Sequence, residues 1–163
     1  MRPLRIAALA AVLALVTGCD SAQTFDPAPL AGTYAGTRVI TDPDGTVDSD
    51  PVTVRTSVDE VAGTLTITID GEPLEGTYDE SGATFGAMDD VATLSFTLSP
   101  DGEIDGEGRF DIPESFGADL DVSGLWTAER FEFDLRVVYT EASEGSGVSV
   151  GDVALSETRA TRR

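Results

Sequence analysis

Apolar and polar side chains alternate at every second position in stretch after stretch of this chain, and that period commits it to β-strands. Leu65, Ile67 and Ile69 form one side of a segment whose other side is Thr64, Thr66 and Thr68. Leu94, Phe96 and Leu98 stand in the same way against Thr93, Ser95 and Thr97. The longest run sets Phe131, Phe133, Leu135, Val137 and Tyr139 against Glu132, Asp134 and Arg136. Val52, Val54 and Val58 make a weaker set. Strands with one apolar and one wet face are common in antiparallel sheets. No segment sustains a helical period.

The breaks between these runs carry turn chemistry. Asp70-Gly71 suits a tight hairpin that needs positive φ. Asp79-Glu80-Ser81-Gly82, Met88-Asp89-Asp90 and Ser99-Pro100-Asp101-Gly102 are further breaks, and Asp42 to Asp50 and Glu141 to Gly147 read as longer loops. About ten strands are predicted, at 33–41, 51–58, 63–70, 73–78, 82–87, 91–98, 103–111, 118–125, 129–140 and 148–161. The expectation is an all-β antiparallel meander of about 8–10 strands in one domain, residues 32–163. So long a meander must shield its apolar face and its edges, and closing into a barrel does both. A β-sandwich is the alternative.

The first residues have a different pattern. Arg2 and Arg5 precede an unbroken apolar run from Ile6 to Val16. That run is too short to cross a bilayer core, which needs about 20 residues, and it has the form of an export signal. It ends in Leu15-Val16-Thr17-Gly18-Cys19. This ending resembles the lipobox of bacterial lipoproteins, in which small residues precede a cysteine that becomes a diacylated N-terminus. The resemblance implies a signal peptide at 1–18, lipidation of Cys19 and a lipidated N-terminus and tether at 19–31. It also implies an exported location in the cell envelope, with a lipid anchor in a membrane. Cys19 is the only cysteine, so an internal disulfide is excluded.

Which chemistry remains is decided largely by what is missing. There is no His, and all 10 basic residues are Arg, against 30 acidic residues and a net charge of −20. Without His or Lys there is no Ser-His or Cys-His activation, no imidazole metal ligand and no Schiff base. Nucleic acid is a poor partner, because phosphates need clustered positive charge. No glycine loop for phosphates is present, and no cofactor is implied. A carboxylate hydrolase is the one enzymatic option left, and the expectation is a non-enzymatic protein. Asp42, Asp44, Asp48 and Asp50 are weak candidates for a hard cation such as calcium. They lie in one acidic stretch with Gly45, but the stretch lacks the glycine position and closing Glu of an EF-hand loop. Asp101, Glu103, Asp105 and Glu107 form a second acidic run, expected on a solvent face.

Leu30-Ala31-Gly32-Thr33-Tyr34 at the start of the domain resembles the glycine-x-aromatic opening of lipocalins and lipocalin-like bacterial lipoproteins, with Tyr34 in place of tryptophan. The resemblance implies a lipocalin-like barrel over residues 30–161, in which an arginine of the closing strand, here Arg159, packs over the opening aromatic. The L-x-G-T-Y step recurs at Leu74 to Tyr78, and Gly124-Leu125-Trp126 repeats its glycine and aromatic. Candidate ligand-binding residues are the apolar-face aromatics Trp126, Phe131, Phe133, Tyr139, Phe96 and Phe110, with Arg130 or Arg136 as possible partners for an anionic headgroup. Two functions are thus expected. One is a membrane-anchored barrel that binds a small apolar molecule or lipid. The other is an envelope protein–protein interaction or structural module whose core is filled by the same aromatics.

Overall fold

The computed structural model describes residues 24–88 and 90–163. Cys19 and the leader lie outside the described residues. A short 3-10 turn, Ala28–Leu30, is followed by ten strands. These are β1 Gly32–Thr41, β2 Val47–Asp59, β3 Thr64–Ile69, β4 Glu72–Asp79, β5 Gly82–Met88, β6 Ala92–Leu98, β7 Glu103–Ile112, β8 Phe116–Trp126, β9 Arg130–Ala142 and β10 Val153–Arg162. Each strand pairs antiparallel with the next, and β10 returns to β1, so the sheet is a closed barrel rather than a sandwich.

The alternation sets the inner face. Tyr34, Val54, Leu65, Ile67, Phe85, Phe96, Leu98, Trp126 and Phe131 all point inward and are at most 2% exposed. The expected turn at Asp70-Gly71 forms with positive φ at both residues, 50° and 97°. The glycines of the L-x-G-T-Y step have a physical reason. A Cβ at Gly32 would lie 3.1 Å from the Arg162 guanidinium, and one at Gly76 would lie 2.6 Å from the Phe85 ring. Each glycine therefore leaves room for a bulky neighbour at a crowded point of the wall.

Two boundaries differ from the pattern reading. The turn after β1 needs only Asp42 to Thr46, because Gly45 takes φ 86° and Asp44 Oδ1 accepts the Thr46 N–H at 2.8 Å. β2 consequently starts at Val47, and Asp48 and Asp50 lie on a strand, opposite Ile40 and Arg38 of β1. At the other end of the sequence, β10 begins at Val153, after a loop in which the Ser149 N–H donates to Asp152 Oδ2 at 2.7 Å.

The β3–β4 hairpin is short, and the wall above it is notched. β2 pairs with β3 only from Val54 onward, and β4 meets β5 over four pairs, Gly76↔Phe85 to Asp79↔Gly82. Three stretches of strand edge, Val47–Thr53 of β2, Glu72–Glu75 of β4 and Gly86–Met88 of β5, therefore lack a strand neighbour on the notch side. The first two carry a proline, Pro51 or Pro73, which offers no N–H to an added strand.

Candidate functional site

Ten antiparallel strands give the barrel two distinct ends. Chain entry, the chain terminus and the turns after β2, β4, β6 and β8 lie at one end. The turns after β1, β3, β5, β7 and β9 lie at the other. The first end is sealed. Phe25 and Leu30 are buried under it, and the Phe25 N–H donates to the Glu80 carbonyl at 3.0 Å. Residues 24–31, expected as part of a tether, thus pack onto the barrel.

The seal is a polar network within an apolar plug. Trp126 Nε1 donates to the Tyr34 hydroxyl at 3.2 Å, and that hydroxyl lies 3.0 Å from the Leu30 carbonyl and 3.1 Å from that of Thr127. The Thr56 hydroxyl donates to the Leu30 carbonyl and accepts the Gly32 N–H at 3.0 Å. From β10, the Arg162 guanidinium donates to the carbonyls of Pro29, Ala128 and Ala31 at 2.9, 3.1 and 2.6 Å. Arg162 stands opposite Tyr34 in the β1–β10 register.

The closing-strand arginine at the opening aromatic is therefore Arg162 and not Arg159. Arg159 stands opposite Thr37, on the outer face. There it forms ion pairs with Asp134 and with Glu157, the latter at 3.5 Å. The hydrogen bonds that the guanidinium donates to Asp134, opposed by partial burial and aided by the surrounding carboxylates, hold its pKa above the ordinary value. Arg130 and Arg136 also face outward and pair with Glu132 at 3.3 Å and Asp121 at 2.9 Å.

The candidate aromatics divide into two groups. Trp126, Phe131 and Phe96 lie in the buried core at 1%, 0% and 2% exposure. Their rings touch between neighbouring strands, Trp126 to Phe131 at 5.6 Å and Phe85 to Phe96 at 4.8 Å, and across the barrel, Phe96 of β6 to Phe133 of β9 at 5.6 Å. This middle section is filled. Phe110 and Tyr139 belong to a second cluster towards the other end. Both meet Phe116, which the pattern reading missed, at 5.7 and 5.3 Å. Phe116 keeps the inward parity of Ala118, Leu120 and Val122, but it precedes residue 118, where the pattern reading began this strand.

That other end is open. Half-buried Phe133, Leu135, Leu94 and Ile69 pack on the core and form an apolar floor. Arg38 of β1 shares the inner face and reaches Asp70, on the sill of the notch, at 3.2 Å. Its Nε is buried with no hydrogen-bond partner, and so is the Thr140 hydroxyl of β9. The rim exposes Val47, Met88 and Val150 at 60%, 82% and 67%. A groove of about 640 Å³ beside Met88 crosses the β5–β7 wall between Thr93, Ser95, Glu107 and Arg109. A second, of about 510 Å³, crosses β7–β10 among Asp105, Asp121, Asp134 and Glu157.

The four aspartates considered for a cation do not converge. Asp44 is used in its own turn, where Thr46 holds its carboxyl below the ordinary range, and Asp48 and Asp50 are two residues apart on β2. Among the described residues no group of three or more potential metal ligands comes together.

Comparison with known proteins gives a fold and no activity. No family model matches the chain, and no curated protein matches it. The solved structures include a similar barrel, a protein of unknown function of the DUF3598 family from Nostoc punctiforme. It superposes with a TM-score of 0.58 at 18% identity, over 86% of this chain and 50% of its own. The present chain thus spans about half the length of that protein.

Proposed function

We propose that this protein is a non-enzymatic envelope lipoprotein, tethered to a membrane by its sealed end and binding a small apolar molecule or lipid at its open end. The observation that carries this reading is the inward apolar floor of Phe133, Leu135, Leu94 and Ile69, packed on the filled middle but itself left half-buried. An apolar surface kept open by a rigid wall loses stabilisation unless something covers it. The lipocalin-like arrangement of Gly32, Tyr34 and Arg162 at the sealed end supports the same reading.

The geometry also supports an orientation. Four residues lie between Cys19 and Thr24, so the reach from one to the other is at most about 18 Å. With Cys19 acylated, the sealed end lies near the bilayer and the mouth opens away from it, higher by roughly the 25 Å that a ten-residue tilted strand spans. The ligand then exchanges with the aqueous compartment or with a partner facing the mouth. The filled middle favours a second reading, in which the barrel is a solid module that contacts an envelope protein through its outer grooves.

Native mass spectrometry of the chain carrying Cys19→Ser, isolated without detergent from a bacterial envelope, separates the two. A stoichiometric added mass of a few hundred daltons, on the order of one small ligand, is the expected result. A bare polypeptide mass that stays bare after incubation with envelope lipid extract would sink the binding reading and leave the module. For the anchor, Cys19→Ser should move the protein from the membrane to the soluble fraction. Retention on membranes would contradict acylation as the hold.

A further inference from the structure

One seam of the barrel is shorter than the rest. β4 and β5 share four register pairs, Gly76↔Phe85 to Asp79↔Gly82, the fewest of any neighbouring strands among the described residues. β8 and β9, by contrast, share eleven. Above Gly76 and Phe85 the two strands run on unpaired, residues 72–75 on one side and 86–88 on the other. Pro73 removes one N–H from that slit, and Gly86 and Ala87 bring to it nothing larger than a methyl group.

The slit reaches the interior. Ala87 keeps the inward parity of the buried Ala83 and Phe85, yet it is exposed. The groove of about 640 Å³ beside Met88 is lined by Ala87 and by Leu94, a side chain of the apolar floor. The part of the wall beside this opening is the β3–β4 hairpin, whose inner side chains Ile69 and Leu74 are half-buried. Six register pairs join the hairpin to β2, so that edge is the firmer one. From inside, Arg38 of β1 reaches the hairpin tip at Asp70, 3.2 Å away, while Arg38 Nε stays buried without a partner. The closed position thus leaves a polar atom unsatisfied, and opening the slit would let water reach it.

We infer that the β3–β4 hairpin is a side gate to the apolar site: it swings on its β2 seam, parts from β5 and admits the ligand past Ala87 and Leu94 to Phe133 and Leu135. The middle of the barrel is filled, so the floor gains depth for a ligand only where the wall yields. Elements with few bonds to a neighbour open first in a folded domain, and openings of this kind gate access to enclosed sites.

The inference rests on the apolar-binding reading above, and its test keeps the two apart. Thr77 and Thr84, the uppermost outward pair of the seam, are exposed and in register. Cα atoms of such partners lie about 4.5–5.5 Å apart, within reach of a disulfide. In the chain carrying Cys19→Ser, Thr77→Cys with Thr84→Cys therefore ties the gate shut without touching the core. Uptake and release of the apolar dye N-phenylnaphthylamine are followed by stopped-flow fluorescence. Oxidation should slow both rates by about tenfold or more with affinity nearly unchanged, because a gate alters passage and not the bound state. Reduction should restore them. A control disulfide one seam over, Thr84→Cys with Thr97→Cys, joins another exposed pair in register and should leave both rates alone. Slowing by both disulfides alike, or by neither, would overturn the gate and keep the apolar site. Failure of the dye to bind the reduced chain would overturn the apolar-binding reading instead. The gate then has a ligand-free readout: amides of the four β4–β5 pairs should exchange hydrogen faster than those of β8 and β9, and equal protection would sink it.

Discussion

The two ends of the barrel use the same residue types for different ends. At the sealed end the buried polar side chains Tyr34, Thr56 and Trp126 are joined to one another or to carbonyls of the entering chain. At the open end, two buried side-chain atoms, Arg38 Nε and Thr140 Oγ1, lack any partner. Aromatic rings show the same contrast. Tyr34, Phe131 and Trp126 are 0–1% exposed, whereas Phe110, Phe116 and Tyr139 remain half-buried. An unsatisfied buried polar atom costs about 1–3 kcal/mol, so the open end is held against its own stability. Local departures of that kind concentrate where a protein does its work.

The widest test of this contrast is truncation of rings. Trp126→Ala should cost about 3–5 kcal/mol, the loss usual for a fully buried large aromatic, and Phe110→Ala under about 2 kcal/mol. Urea unfolding curves measure both, and equal losses would abolish the distinction between a stabilising end and a permissive one. Next comes the crowding of the wall. Gly76→Ala forces a Cβ to within 2.6 Å of the Phe85 ring and 2.7 Å of the Thr84 carbonyl, which should destabilise by about 1–3 kcal/mol. Gly45→Ala, in the open-end turn with empty space around it, should cost only its φ strain, about 1 kcal/mol.

A sharper pair exchanges a hydroxyl for a methyl at each end. Thr56→Val removes the donor to Leu30 and the acceptor for Gly32, and should lose about 1–3 kcal/mol. Thr140→Val removes a hydroxyl that has no partner, and should be neutral or stabilising. A loss at Thr140 equal to that at Thr56 would mean that the open end is satisfied after all.

The smallest effect is acid sensitivity, which should not distinguish the ends. The Ser81 hydroxyl and N–H hold the Asp79 carboxyl below its ordinary 3.8 at a sealed-end turn. Thr46 does the same for Asp44 at an open-end turn. A depressed folded-state value gives stability that is present above pH 3.8 and lost as the pH falls through the lower value. Because both groups are fully exposed, Asp79→Asn and Asp44→Asn should each remove only a slight acid-side slope in melting temperature. A large drop for one alone would show that its turn supports an end of the barrel.

Strand identity was legible because it is local. The runs through Leu65, Phe96 and Phe131 state their own period, and turns such as Asp70-Gly71 state the breaks. Ten strands followed, most with boundaries within two residues. The candidate site was legible only as a list of inward aromatics. Phe116 escaped it because it lies ahead of the predicted start of its strand, and Asp48 and Asp50 were misassigned to a loop because their charge hid a strand.

Alternation in the sequence by itself determined the all-β class, the meander and which residues face inward, since a strand's period of two depends on nothing beyond the strand. Closure decided the rest. Arg159 and Arg162 are three residues apart on one strand, so they face opposite sides, and only the β1–β10 register shows that Arg162 meets Tyr34. Likewise Phe96 and Phe133 are far apart in sequence, and only the closed wall brings their rings to 5.6 Å and fills the middle. Which inward residues become core and which stay open depends on how far across the barrel each side chain must reach, a distance that exists only once the sheet has closed.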